Sequence, residues 1–294
     1  SVHMDMPETS GSEGAKCWAK SACRHYPTRN ACLQGIYRPG GKGGGQINIK
    51  AAQCTFGSGV VFSANGTDGA LCSTDGIDGD SVVESGSGGG SGGSILITTE
   101  VLTAEDGPVT LSASGGGHGR LGISDTEGAS IAGGAGGRIA VRSLEVISAA
   151  VMKVHTAGGR PHGASGSFFN RSGTERTATT QLIFDNEGRN GSHLSCFSLP
   201  VLLPLIDVLE LRGGARLCHR PGAAVLALDQ IKVLILDNSD VGALSPINAA
   251  MSLQKDGYTS SGAPANDATP VDLRIECTRT SVVGKSQLTG RHVA

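Results

Sequence analysis

The side chains that could do chemistry start with the carboxylates of Asp75, Asp78 and Asp80. They follow Asp68 in one glycine-studded segment, DGALCSTDGIDGD, residues 68–80. Hard divalent cations take several carboxylate and carbonyl oxygens from a flexible loop, so calcium is the ion this segment would hold. The EF-hand spacing is absent, with no D-x-D-x-D-G and no closing Glu, and an acidic solvated turn accounts for the same residues. Calcium apart, no cofactor is expected. His118, His155 and His162 lie near glycine turns, but no HExxH pattern or spaced carboxylate accompanies them, so they read as surface or corner residues. Val282-Val283-Gly284-Lys285-Ser286 ends like a phosphate-binding loop, yet Arg279 stands where its first glycine is required. The Gly/Ser run beginning at Gly86-Ser87-Gly88 contains GxSxG only as low-complexity sequence, not at a strand-to-helix elbow.

Eight cysteines are the next reactive set: Cys17, Cys23, Cys32, Cys54, Cys72, Cys196, Cys218 and Cys277. None forms a CxxC pair, which removes the zinc-ribbon and thioredoxin signatures. Five of them crowd the first quarter of the chain, as expected of disulfides stapling an N-terminal cap in an oxidising compartment, and unrelated buried thiols are the alternative. Which cysteines pair is not fixed by their spacing. Sequons at Asn65-Gly66-Thr67, Asn170-Arg171-Ser172 and Asn190-Gly191-Ser192 point the same way, towards a secreted or cell-surface glycoprotein.

The elements that must carry these residues are short strands locked to glycine tracts. GGGSGGSILITTEVLTAEDGPVTLSASGGGHG, residues 88–119, sets the pattern: glycines, an aliphatic run, a polar turn, a second run, glycines. GGKGGGQINIKAAQCTFGSGVVFSANGTDG (40–69) and GGAGGRIAVRSLEVISAAVMKVHTAGGRPHG (133–163) repeat it. Runs rich in Val, Ile and Thr between glycine clusters read as strands, and such a unit must stack on copies of itself to bury its apolar faces. Glycine is expected at the corners, where a sharp bend needs φ > 0. Later runs at 181–184, 208–211, 224–228, 231–236 and 271–276 continue the strand pattern, with Gly213-Gly214 as a corner. Leu199–Ile206 is the most apolar stretch; with two prolines and too few residues to cross a bilayer, it reads as core or a subunit contact. The expected fold is therefore all-β, a right-handed parallel β-helix (residues 39–294) behind a tail and cysteine-rich cap (1–38).

The repeated GGGSGGSI and GGRIAV segments, followed by SGSFF, LIFDNEGRNG and LELRGGARL, resemble a glycine-rich repeat region of large secreted or surface proteins of bacteria and protists. The resemblance covers about residues 40–240. It implies a pectin-lyase-like parallel β-helix within an extracellular adhesive or structural protein, and it carries no assigned catalytic residues. Enzymes of the pectin-lyase-like kind group Asp with Arg or Lys on one strand face; here that would involve Arg138, Arg142, Lys153 and Asp185. The cysteine-rich start and Phe168-Phe169, in place of the usual Tyr, depart from the family pattern.

Composition narrows the function. A net charge of −2 with scattered Lys and Arg and only 3% aromatics argues against nucleic acid. Scarce aromatics also weigh against stacking on sugar rings. The expectation is a non-enzymatic extracellular structural or adhesive module presenting loops to a protein or glycan; the alternative is a carbohydrate-active or glycan-binding domain. No membrane-spanning segment is expected. The polar start lacks the apolar core of a signal peptide, so the chain reads as a fragment of a larger protein.

Overall fold

A computed structural model describes residues 10–19, 36–73, 84–104, 107–119, 133–147, 152–160, 163–174, 177–189 and 206–218, and short strands beyond them. The first strands are β1 (Cys17–Ala19), β2 (Ile36–Arg38), β3 (Gln46–Phe56), β4 (Val61–Ser63), β5 (Leu71–Ser73) and β6 (Glu84–Gly86). Next come β7 (Ser94–Ala104), β8 (Val109–Ser112), β9 (Arg138–Ile147), β10 (Met152–His155), β11 (Ser167–Ser172) and β12 (Thr179–Asp185). The C-terminal set is β13 (Ile206–Arg212), β14 (Arg216–Cys218), β15 (Val225–Ala227), β16 (Ile231–Asp237), β17 (Asp240–Gly242), β18 (Asp272–Arg274), β19 (Arg279–Val283) and β20 (Gln287–Thr289). Among the described residues there is no helix.

Stacking of the aliphatic runs is present. β3, β7 and β9 pair in parallel with Ile47, Ile95 and Ile139 in one row, and Ile49, Ile97 and Val141 in the next. This face packs on a three-stranded parallel sheet, β10-β8-β4. Ile95, Ile97 and Leu111 have no exposed surface and Val109 has 1%. Burial of each large aliphatic side chain contributes about 1.5–3 kcal/mol relative to exposure.

The parallel β-helix, however, is not what the chain forms. The eight-stranded sheet, in order β19-β16-β13-β12-β11-β9-β7-β3, reverses direction at its centre, where β11 and β12 pair antiparallel. β1–β2 and β5–β6 are antiparallel as well. A continuous coil of one hand needs every stacked strand to run the same way, and Gly173 at φ 112° lets this chain double back after β11 instead. The buried face changes with the reversal. Ile95 and Ile139 continue into Phe168 and Ile183, but on β12 and β13 the opposite face carries the fully buried Leu182, Leu209 and Leu211.

Nor do the glycine tracts act as corners. Of the described glycines, positive φ is confined to Gly59, Gly107, Gly173, Gly188, Gly213 and Gly214, so only the Gly213-Gly214 corner fits the expectation. The tract glycines lie instead in extended segments, 11–15, 40–45, 64–70, 87–93, 113–119, 133–137, 156–160 and 163–166, packed backbone against backbone. Their hydrogen bonds step by three residues. Gly41 and Gly44 donate to Gly88 and Ser91, and Gly90 and Gly93 donate to Thr67 and Ala64, all at 2.7–2.9 Å. Three residues per turn is the repeat of a polyproline II chain, which has no internal hydrogen bonds and must satisfy its amides from neighbours. A Cβ on Gly90 or Gly93 would lie well inside contact with the carbonyl oxygens of Lys42 and Gly45. One on Gly89 or Gly92 would overlap those of Gly116 and Ala113. The GGX pattern follows: two of every three positions face a neighbouring backbone, and the third carries the side chain, exposed at Lys42 and Ala135 and hydrogen-bonded to Ser12 of the 11–15 segment at Ser91. At the flanks, one face is packed and the pattern relaxes to GxxG, as at Gly11 and Gly14 or Gly66 and Gly69.

Candidate functional site

An open concavity among the described residues lies where the long strands bend. On β7 the inward alternation Ile95, Ile97, Thr99 shifts phase to Leu102, and Thr99 Oγ1 donates to the Ala52 and Val101 carbonyls at 3.2 and 2.9 Å. The bend leaves an open hollow of about 710 Å³ on the face opposite Ile97. Across it runs one register row, Lys50–Thr98–Arg142–Arg171, contributed by β3, β7, β9 and β11. Lys50 and Arg171 are exposed and Arg142 half-buried. Glu100 and Leu144, 52% exposed, stand beyond this row and complete the rim. Strands about 4.8 Å apart place Arg171 one strand spacing from Arg142 and Lys50 two spacings away on the other side.

Further along the same face, Arg138 lies between Ser94 and Ser167 on the adjacent strands. Both hydroxyls are buried without a hydrogen-bond partner. Burial pulls the Arg138 guanidinium below its ordinary value, although an arginine stays charged at neutral pH.

A second polar cluster closes the glycine bundle. The side chain of Asn186, with no exposed surface, accepts from the Gly158 amide at 2.9 Å and donates to the Gly163 and Arg189 carbonyls. Glu187, at φ 52°, places Oε1 2.5 Å from His155 Nδ1 and Oε2 3.2 Å from Arg189. Asp185 accepts from Arg212 Nε at 2.7 Å. A carboxylate on Nδ1 would orient an imidazole for base chemistry. Ser112 shares the His155 register position but donates its hydroxyl to Asn65 Oδ1 at 2.7 Å. The cluster therefore ties the glycine tract after β10 to the ends of β12 and β13, and among the described residues no nucleophile is hydrogen-bonded to the imidazole.

Placement of the residues singled out from sequence is uneven. Asp75, Asp78, Asp80, Asn190, His162, Cys23, Cys32, Cys196 and Cys277 lie outside the described residues. Cys17, Cys72 and Cys218 sit on β1, β5 and β14, their side chains not described, and Cys54 is a free thiol buried in the aliphatic core. Asn65 is exposed beyond β4. Asn170 of the second sequon is half-buried within β11, between Val141 and Gln181, with its Oδ1 buried. Arg138 and Arg142 share a face of β9, whereas Lys153 is on the outer side of the small sheet and Asp185 is engaged by Arg212, so the four do not form one constellation. His118 donates its amide to the Arg160 carbonyl. Lys50 and Arg171 were not singled out. The signal was available: both stand three residues after Ile47 and Phe168, as Thr98 and Arg142 do after Ile95 and Ile139. Among the described residues no group of three or more His, Cys, Asp or Glu side chains converges as metal ligands, and no helix is long and apolar enough to cross a membrane.

Comparison with protein-family models, with curated proteins and with solved structures found no match.

Proposed function

We propose that the chain is an extracellular structural and adhesive module, a stiff body that presents its surfaces to a partner protein or glycan without chemical turnover. The observation that carries this reading is the glycine bundle. Extended chains locked at hydrogen-bond distance on several sides, with no space for a Cβ between them, form a rigid slab whose order comes from backbone alone. The sheets grow from that slab in register, so the surface they offer is fixed before a partner arrives, which limits the ordering cost of binding. The sequons and the clustered cysteines support the extracellular setting. The test is adhesion of the secreted chain to extracellular-matrix and cell-surface fractions, beside an assay for release of reducing sugar ends. Retention with no sugar release is expected; turnover of a polysaccharide, or retention on no fraction, would overturn the reading.

A further inference from the structure

We infer that the hollow crossed by Lys50, Thr98, Arg142 and Arg171 binds an acidic polysaccharide, a linear glycan carrying carboxylate or sulfate groups. The inference rests on the module reading and names the ligand class of one surface. Three cations from three strands occupy a single row, with Glu100 the one carboxylate at the rim. Arg142 and Arg171 are direct cross-strand neighbours, so two guanidinium-bearing positions stand one strand spacing apart on the same face. Guanidinium groups match the planar or tetrahedral oxygens of carboxylate and sulfate through paired N–H donors, and the intervening Thr98 hydroxyl suits a sugar hydroxyl. The row runs across the strands, so cations recur at one and two strand spacings, about 5 and 10 Å, along the line an extended chain would follow. Ala51, Ala52 and Leu144 offer an apolar rim against which a ring's C–H groups can pack. No aromatic ring lines the hollow, so single-stranded nucleic acid, which relies on base stacking, is the less suited polyanion.

The experiment measures binding of the whole chain to heparin, polygalacturonate, uncharged dextran and a single-stranded oligonucleotide at increasing salt. Sulfated or carboxylated polymer is expected to bind, dextran not, with affinity falling as salt screens the contacts. Lys50→Glu with Arg171→Glu should weaken it at least tenfold, and the milder Lys50→Met with Arg171→Gln by an intermediate factor, with unchanged circular dichroism. Lys153→Glu, on the outer side of the small sheet, should bind as the parent does. No binding of either acidic polymer, an equal loss in Lys153→Glu, or equally tight oligonucleotide binding with the same sensitivity to the variants would overturn the inference. Adhesion that survives enzymatic removal of acidic glycans would overturn it while leaving the module reading intact, whereas adhesion to nothing would remove both.

Discussion

Each pass of the chain through a glycine tract and then a strand crosses two regions built by different rules. In the strands, side chains alternate with period two and the core is filled by interlocking aliphatic groups such as Ile95, Ile139 and Leu111. In the tracts, the period is three and the packing surface is the backbone itself. An aliphatic core adjusts a little when an atom is lost, since neighbours relax into part of the space. Two backbones at hydrogen-bond distance have no such freedom when an atom is added, because the obstruction is a carbonyl that cannot rotate away. The glycine half is therefore the less tolerant half, although it buries no large side chain.

Substitutions can break that contrast in order of severity. Gly90→Ala and Gly134→Ala place a methyl against the carbonyls of Lys42 and Gly90, and each should lose about 3 kcal/mol or more in urea denaturation. Ile95→Ala, in the aliphatic half, should cost about 2–5 kcal/mol with the fold retained, read from the same curves. If it proves the more damaging of the two classes, the stiffness of the module resides in the sheets. Asn186→Ala removes three hydrogen bonds at the edge of the bundle and should cost about 1–3 kcal/mol, with faster amide exchange at Gly158. Gly45→Ala sharpens the contrast, since a Cβ there meets nothing within 4 Å, and a change within about 0.5 kcal/mol is expected. Secretion from a eukaryotic host followed by intact mass measurement checks the sequons. Asn65→Gln should remove one glycan, while Asn170→Gln should leave the mass free of any glycan loss, because Asn170 is within a paired strand.

Much of the strand inventory could be read directly: the runs at 47–49, 95–99, 139–141 and 181–184 fall within strands, the run at 109–114 is a strand as far as Ser112, and the three repeats stack with their isoleucines aligned. The role of glycine was not legible: a corner with positive φ is the commonest use of that residue, whereas these tracts need it so that backbones can touch. The spacing that goes with such contact, pairs three apart at 40 and 43, 41 and 44, 89 and 92, 134 and 137, was present in the letters. The direction of β12 was not legible, since Gln181-Leu182-Ile183-Phe184 alternates the same way whichever way it runs. The basic row was half legible: aligned repeats bring Lys50, Thr98, Arg142 and Arg171 into one column, but whether that column faces a core or a hollow depends on the bend at Thr99.

What the sequence by itself determined is where the chain can be a strand and where only hydrogen atoms can stand in for side chains, because alternation and glycine spacing are local properties. What only the tertiary structure decided is which backbones approach one another, that β11 and β12 oppose, and that cations far apart along the chain share one row. Those outcomes depend on which distant segment comes to lie at hydrogen-bonding distance, and a residue carries no mark of its neighbour until the chain has closed on it.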